Sequence, residues 1–265
     1  MPRHQSPRKH AFTLIELLVV ISIIALLIAI LLPVLSSARQ ASQSASCLSN
    51  LRQMGVMVGV YTSDYEGWLP PSDLANGYAS SNNLTDGAWP QRLQGVIDGR
   101  LVTPATELQD IFRCPSASID DGVWHYSSPR RVFMRINQDS DLPLYSIERA
   151  LRTSEILFAA DGVQNITGTP GATTYARAGE NFSDPVSPRN IGAPRLAHFI
   201  AGDPVMDQPV FGSDTPNVED TAGTTNGLIR WRHIGDTSAN AGFLDGHAEN
   251  RPIGGYLNRN VRPDF

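Results

Sequence analysis

Leu17 to Leu35 reads LLVVISIIALLIAILLPVL, an almost unbroken apolar run. A bilayer core takes about 20 predominantly apolar residues as a helix. Extended back to Phe12, the segment contains Glu16 as its only charge. Arg3, Arg8 and Lys9 lie upstream with no acidic residue among them. The positive-inside tendency then keeps the N-terminus cytoplasmic and exports everything after Leu35. Residues 12–35 are therefore the expected membrane span. Two simple readings compete. A secretory signal peptide would be cut near Ser36-Ser37-Ala38, but the run exceeds the usual h-region of about 7–15 residues and a carboxylate at its start is out of place. A plain anchor would let Glu16 snorkel toward the headgroups.

Ala11-Phe12-Thr13-Leu14-Ile15-Glu16-Leu17 accounts for more residues. This string resembles the processing signal of the type IV pilin-like, or pseudopilin-like, family. The resemblance implies that a membrane prepilin peptidase cuts between Ala11 and Phe12, removes residues 1–11 as a leader and methylates the new amine. Ala11 replaces the usual Gly before the cut. Phe12 and the fifth mature residue, Glu16, follow the family pattern, and Pro33 falls where such proteins carry a helix-distorting proline.

The carboxylate has a physical rationale beside the resemblance. A charge within an apolar helix costs about 2.5–3.5 kcal/mol on insertion scales and usually has a partner. Cleavage would place a cationic amine one helical turn from Glu16, where low dielectric strengthens their attraction. The pair can form within one subunit or between neighbours; the resemblance implies the second. Losing the leader removes three basic groups and no acid, so the mature chain is more acidic than the full chain at −5.

Helical spacing continues beyond the apolar run. Ala38, Ala41, Ala45, Leu48, Leu51, Met54, Val58, Tyr61 and Tyr65 recur three or four apart, opposite Arg39, Gln43, Ser46, Asn50 and Gln53. The helix is expected to stop near Asp64, before Gly67 and Leu69-Pro70-Pro71. From Phe12 to Tyr61 it would be about 75 Å long, with a kink at Pro33. Residues 36–66 form its extracytoplasmic half. Cys47-Leu48-Ser49-Asn50-Leu51-Arg52-Gln53 and the later Tyr61, Asp64, Gly67 and Leu69-Pro70 again resemble a large pseudopilin-like family.

Cys47 and Cys114 are the two cysteines, which allows one pairing. An oxidising exported compartment permits the disulfide; two buried thiols are the alternative. Closing this loop is worth roughly 4 kcal/mol in the chain-entropy model. Without a Cys-x-x-Cys pair, no structural metal is expected.

Residues 67–265 read as a globular α+β domain. Ile156 to Ala160 is a buried strand ending at Asp161-Gly162. Ser146 to Thr153 suggests a short helix, and Gly95 to Leu101 is too broken to assign. About 163–225, Gly, Pro, Ser, Thr, Asp and Asn dominate and suggest a loop-rich insertion. Gly227 to His233 and Asn240 to Asp245 look like the arms of a C-terminal hairpin over 227–249, with Trp231 and Phe243 buried against the helix. His233, Asp245, Gly246 and His247 resemble the family's C-terminal signature, a His and an Asp-Gly separated by nine residues. Here eleven residues intervene, and the extra two fall in the expected turn. The fold expected is thus a long helix, half membrane and half amphipathic, packed on an antiparallel sheet with long loops.

The chemistry-bearing residues make a weak case for catalysis. On the expected pairing, His233 and Asp245 stand roughly 13 Å apart along the ladder, too far for shared ligation. Asp245-Gly246-His247 reads as a turn. His125 and His198 are isolated and read as structural. No nucleophile elbow, zincin, P-loop or dinucleotide motif is present, so no enzyme and no cofactor are expected; calcium, which some pseudopilins bind, is the one ion the resemblance allows. The acidic composition argues against nucleic acid. Two functions stay open. The favoured one is a structural subunit in the bacterial inner membrane, single-pass and extracytoplasmic. Its partners would be the bilayer, copies of itself and other pilin-like subunits, the prepilin peptidase and the inner-membrane assembly machinery of a type II secretion or type IV pilus-like filament. The alternative is a tethered extracytoplasmic binding protein that does not polymerise.

Overall fold

Helix α1 spans Leu14–Asp64, 51 residues, and runs through Pro33. The computed structural model describes residues 14–71, 89–100, 108–117, 124–129, 132–133, 145–162, 164–165, 177–178, 181–182 and 229–261. The leader 1–11, the cut site at Ala11 and Phe12, His198 and most of 163–225 lie outside them. The chain divides into two units, Met1–Arg39 and Gln40–Phe265.

In the first unit, α1 carries Leu14 to Leu35 with its large apolar side chains open on all sides. An α-helix satisfies its own backbone, so an apolar sequence of this length can remain helical in lipid. It is long and apolar enough to cross a membrane. Ser22 and Ser37 return their hydroxyls to the carbonyls of Val19 and Pro33, at 2.7 and 3.0 Å, which hides two polar groups within the helix itself.

In the second unit, the rest of α1 lies on a sheet of order β5-β1-β2-β6-β7. The strands are β1 (Tyr126–Pro129), β2 (Leu157–Asp161), β5 (Asn181–Phe182), β6 (Ser238–Phe243) and β7 (Ala248–Pro252). β1, β2, β6 and β7 pair antiparallel, as expected, while β5 joins β1 in parallel. A separate two-stranded pair joins β3 (Gln164–Asn165) to β4 (Arg177–Ala178). Helix α2 (Trp89–Asp98) opens with Pro90 near its start, where a missing N–H costs nothing.

Two apolar clusters flank the sheet. The first unites Cys47, Leu51, Met54, Val58 and Tyr61 of α1 with Trp89, Phe112, Phe133 and Phe158. Its helix stripe is narrower than the spacing suggests. Ala38, Ala41, Ala45 and Tyr65 are exposed, and burial starts at Ser44. The second cluster holds Leu157, Ala160, Trp231, Ala241, Phe243 and Tyr256, with no residue of α1.

The C-terminal hairpin differs from the expected one over 227–249. Ile229 and His233 make isolated bridges, to Gly162 and Ser238, rather than a strand. β6 instead turns through Leu244–Gly246 and pairs with β7, Ala241 opposite Glu249. Trp231 and Phe243 share a cluster, but on the face away from the α1 residues. The reason is the pleat: Ala239, Ala241 and Phe243 point one way, and Asn240 and Gly242 point toward the helix. A Cβ on Gly242 would sit 2.6 Å from the Phe158 ring and 3.5 Å from Leu51 Cβ. A Cβ on Gly55 of α1 would sit 3.0 Å from the Gly246 Cα. Two segments nearly two hundred residues apart thus approach closely at a pair of glycines.

Candidate functional site

The described residues hold two features beyond ordinary packing: the apolar helix with Glu16, and a buried polar cluster where α1 crosses the sheet. Glu16 lies in the first turn of α1 as described, among exposed apolar neighbours.

The polar cluster is built from four segments. α1 contributes Ser44 and Cys47, the segment after the 3-10 turn Asp110–Phe112 contributes Cys114, β2 ends on Asp161, and Arg232, His233 and Asn240 come from the region around β6. Cys47 and Cys114 form a disulfide with Cα atoms 5.2 Å apart. It ties α1 to a segment that Asn50 and Gln43 also grip, donating to the carbonyls of Arg113 (2.9 Å) and Pro115 (3.0 Å).

Asp161 is the hub. Its Oδ2 accepts from the Asn240 backbone N–H at 2.7 Å and lies 3.0 Å from His233 Nε2; both side chains are fully buried. Arg232 Nε stands 3.8 Å from Oδ1, and the Arg232 guanidinium also donates to the Gly162 carbonyl. Asn240 reaches α1, with Nδ2 donating to the Ser44 carbonyl at 3.1 Å, and accepts from Asn250 at 2.7 Å. A buried carboxylate beside a guanidinium is tolerated because both are paired and hydrogen-bonded. Beside it, His125 Nδ1 accepts from the Cys114 N–H at 2.9 Å.

Burial, and then the Arg232 charge, lower the His125 pKa from 6.5 to about 4. His125 is therefore neutral in the fold at pH 7. The sign follows from linkage: the unfolded chain takes up a proton as pH falls through 6.5, and the folded chain does not until about 4. Stability is full above 6.5 and is lost between 6.5 and 4, by about 3 kcal/mol for this group. Denaturant melts at pH 7 and pH 4.5 check this, and His125→Gln is expected to flatten the difference.

His233 and Asp245, although close in sequence, are brought to different places. His233 joins Asp161. Asp245 and His247 form the β6–β7 turn, where Asp245 Oδ1 accepts from the His247 backbone N–H at 3.1 Å and meets its ring Nδ1. The His247 ring stacks on Phe243, centroids 4.3 Å apart. The Gly246 backbone takes a positive φ of 89°, which a residue without Cβ adopts freely. The cluster is not a hydrolytic triad. Asp161 and the Cys114 sulfur (3.7 Å) both approach His233 through Nε2, whereas a triad histidine uses one nitrogen for the acid and the other for the nucleophile.

Residues 6–32 carry the prokaryotic N-terminal methylation motif. This is the signal of type IV pilin and pseudopilin precursors. It covers Ala11, Phe12 and Glu16 and reaches into the apolar part of α1. No curated protein and no solved structure matches the chain. The motif and an apolar N-terminal helix together fit an inner-membrane-anchored, pilin-like precursor. Cys47, Cys114 and His233 stand out in the sequence, whereas Asp161, which closes a strand there, and Arg232 and Asn240, which flank the C-terminal signature, carry no site role in it. Asp161 carried the one usable signal: a charged residue at the end of an otherwise apolar strand.

Proposed function

We propose that this chain is a structural pilin-like subunit that polymerises through α1 into a type II secretion or type IV pilus-like filament. The observation that carries the reading is the methylation motif at 6–32 leading into an apolar helix whose side chains the fold leaves uncovered. The prepilin peptidase cuts between Ala11 and Phe12 and methylates Phe12. The apolar half of the helix then exchanges lipid for copies of itself, a transfer between two media of similar polarity. Such a transfer has little hydrophobic drive, so a specific polar contact must direct it. Glu16 facing the Phe12 amine of a neighbouring subunit supplies that contact. Pro33 loosens one backbone hydrogen bond and lets the helix bend between its two halves.

The globular domain stays extracytoplasmic, where an oxidising compartment preserves the disulfide to Cys114. The described groups suit a scaffold rather than a catalyst: the Asp161 side chain is buried and its cluster joins α1 to the sheet. The test uses cells with and without the prepilin peptidase. With it, the chain is expected in a sedimented filament fraction. Without it, the chain is expected to keep residues 1–11 and remain in the membrane. Equal amounts of chain in both filament fractions would overturn the reading.

A further inference from the structure

The C-terminal end of α1 carries an aromatic platform that the core does not absorb. Of the four tryptophans, Trp89, Trp124 and Trp231 are buried, while Trp68 is 36% exposed. Tyr61 and Tyr65, one helical turn apart, stack with centroids 4.2 Å apart and planes inclined by 15°. Tyr61 is buried, whereas Tyr65 is 51% exposed. Since Tyr61 covers one face of the Tyr65 ring, the open face is the other.

The backbone under these rings is pinned. Just beyond α1, Glu66 and Gly67 take positive φ of 52° and 83°, and the Gly67 N–H donates back to the Thr62 carbonyl at 2.7 Å. That reversal returns the chain to the helix end, where the Trp68 N–H donates to the Tyr65 carbonyl at 2.9 Å. Trp68 also bridges Ser146. On either side of it, the Leu69 N–H donates to the Tyr145 carbonyl at 2.9 Å and the Ile147 N–H to the Gly67 carbonyl at 2.8 Å. An exposed ring on a fixed backbone has little freedom left to lose when a ligand covers it. Glu66, a non-glycine residue held at positive φ, is strain of the kind that gathers at ligand clamps.

Two clefts of about 560 and 300 Å³ open on this platform, within the range of about 300–1,000 Å³ typical of small-molecule sites. Both are lined by Tyr61, Asp64 and Tyr65; the larger adds Arg92 and Arg100, the smaller Glu66 and Trp68. A side-chain hydrogen bond ties Arg92 to Tyr61. Charges of both signs therefore rim the aromatic faces. A polyanion would meet the two carboxylates, and a polycation the two guanidinium groups. An uncharged ligand rich in hydroxyls meets neither penalty, because a hydroxyl donates to a carboxylate and accepts from a guanidinium. The rings ask in addition for an apolar face. A pyranose offers both, a C–H face and a rim of hydroxyls. We propose that this platform binds a neutral oligosaccharide, with a sugar ring seated on Tyr65 and Trp68.

The test uses the full chain in lauryldimethylamine oxide micelles, whose headgroup is not a sugar. Cellohexaose, xylohexaose and chitohexaose are the probes, and acrylamide quenching of tryptophan fluorescence is the readout. The other three tryptophans are buried, so quenching reports on Trp68. At least one hexasaccharide is expected to lower the quenching constant by about twofold or more, with a Kd of about 1 mM or below. By calorimetry, Tyr65→Ala and Trp68→Ala should each weaken that binding by about three- to tenfold. Trp68→Phe, which keeps a ring, should retain most of it. Thermal melts confirm that the variants remain folded. No protection by any of the three probes up to about 10 mM overturns the site. Undiminished binding in either alanine variant does the same. Protection by hexalysine or hexaglutamate, with none by the saccharides, also overturns it and assigns the platform to a charged peptide.

Discussion

Replacing Glu16 by Ala is expected to leave the chain inserted in the membrane while its amount in the filament fraction falls by more than about tenfold. A carboxylate near an apolar helix costs about 2.5–3.5 kcal/mol on insertion scales, so deleting it makes the membrane-bound subunit easier to insert. Assembly moves in the opposite direction. An amine and a carboxylate about 4 Å apart attract by about 4 kcal/mol even at an effective dielectric near 20. Losing half of that at each subunit contact already exceeds tenfold. Glu16→Gln keeps the size and most of the polarity but not the charge, and it should behave like Ala. Membrane fractionation and sedimentation of filaments separate the two effects. A tethered protein that never polymerises would keep its function in both variants.

Replacing Asp161 by Ala is expected to cost about 3–5 kcal/mol of stability, because it removes the carboxylate from a buried ion pair with Arg232. Arg232 and His233 would remain buried with no carboxylate between them, and the Asn240 N–H would lose its acceptor. For a domain of this size each kcal/mol is worth about 2–4 °C, so the midpoint should fall by roughly 6–20 °C. Thermal or denaturant melts in detergent check this. Truncating an exposed carboxylate, Asp64→Ala, serves as the comparison; it should change stability by less than about 0.5 kcal/mol. A melt of Asp161→Ala within that smaller range would show that the cluster does not hold α1 to the sheet.

The local parts of this fold are legible in the sequence because their causes are local. The apolar run, the three-four spacing up to Asp64 and the Gly67 stop account for a long helix ending at Asp64. The apolar strand at Ile156 to Ala160 emerges as β2. Helix α2 is hidden in the sequence because Gly95 breaks its pattern, although Pro90 marks its start. The hairpin was misplaced for a different reason. Both 227–233 and 248–252 are possible partners for β6, and the apparent match of Trp231 with Phe243 favoured the first. Burial of Ala239, Ala241 and Phe243 opposite the helix decides for the second.

The site was legible only in fragments. Cys47, Cys114 and His233 stood out one by one, but nothing in their spacing links them to Asp161. That link depends on β2 and β6 being neighbours, with Ala160 opposite Ala241, and on Asn240 pointing at Ser44. Long-range pairing of this kind leaves no local pattern. A charged residue closing an apolar strand was the signal that deserved more weight, since buried carboxylates are almost always paired.

On the proposed function, cleavage within the methylation motif at residues 6–32 creates the amine that pairs with Glu16 between subunits. The most direct measurement is the intact and N-terminal mass of the chain purified from native membranes. A start at N-methylated Phe12, with residues 1–11 gone, is the predicted result. A chain that still begins at Met1, or one that begins after Ala38, would contradict it.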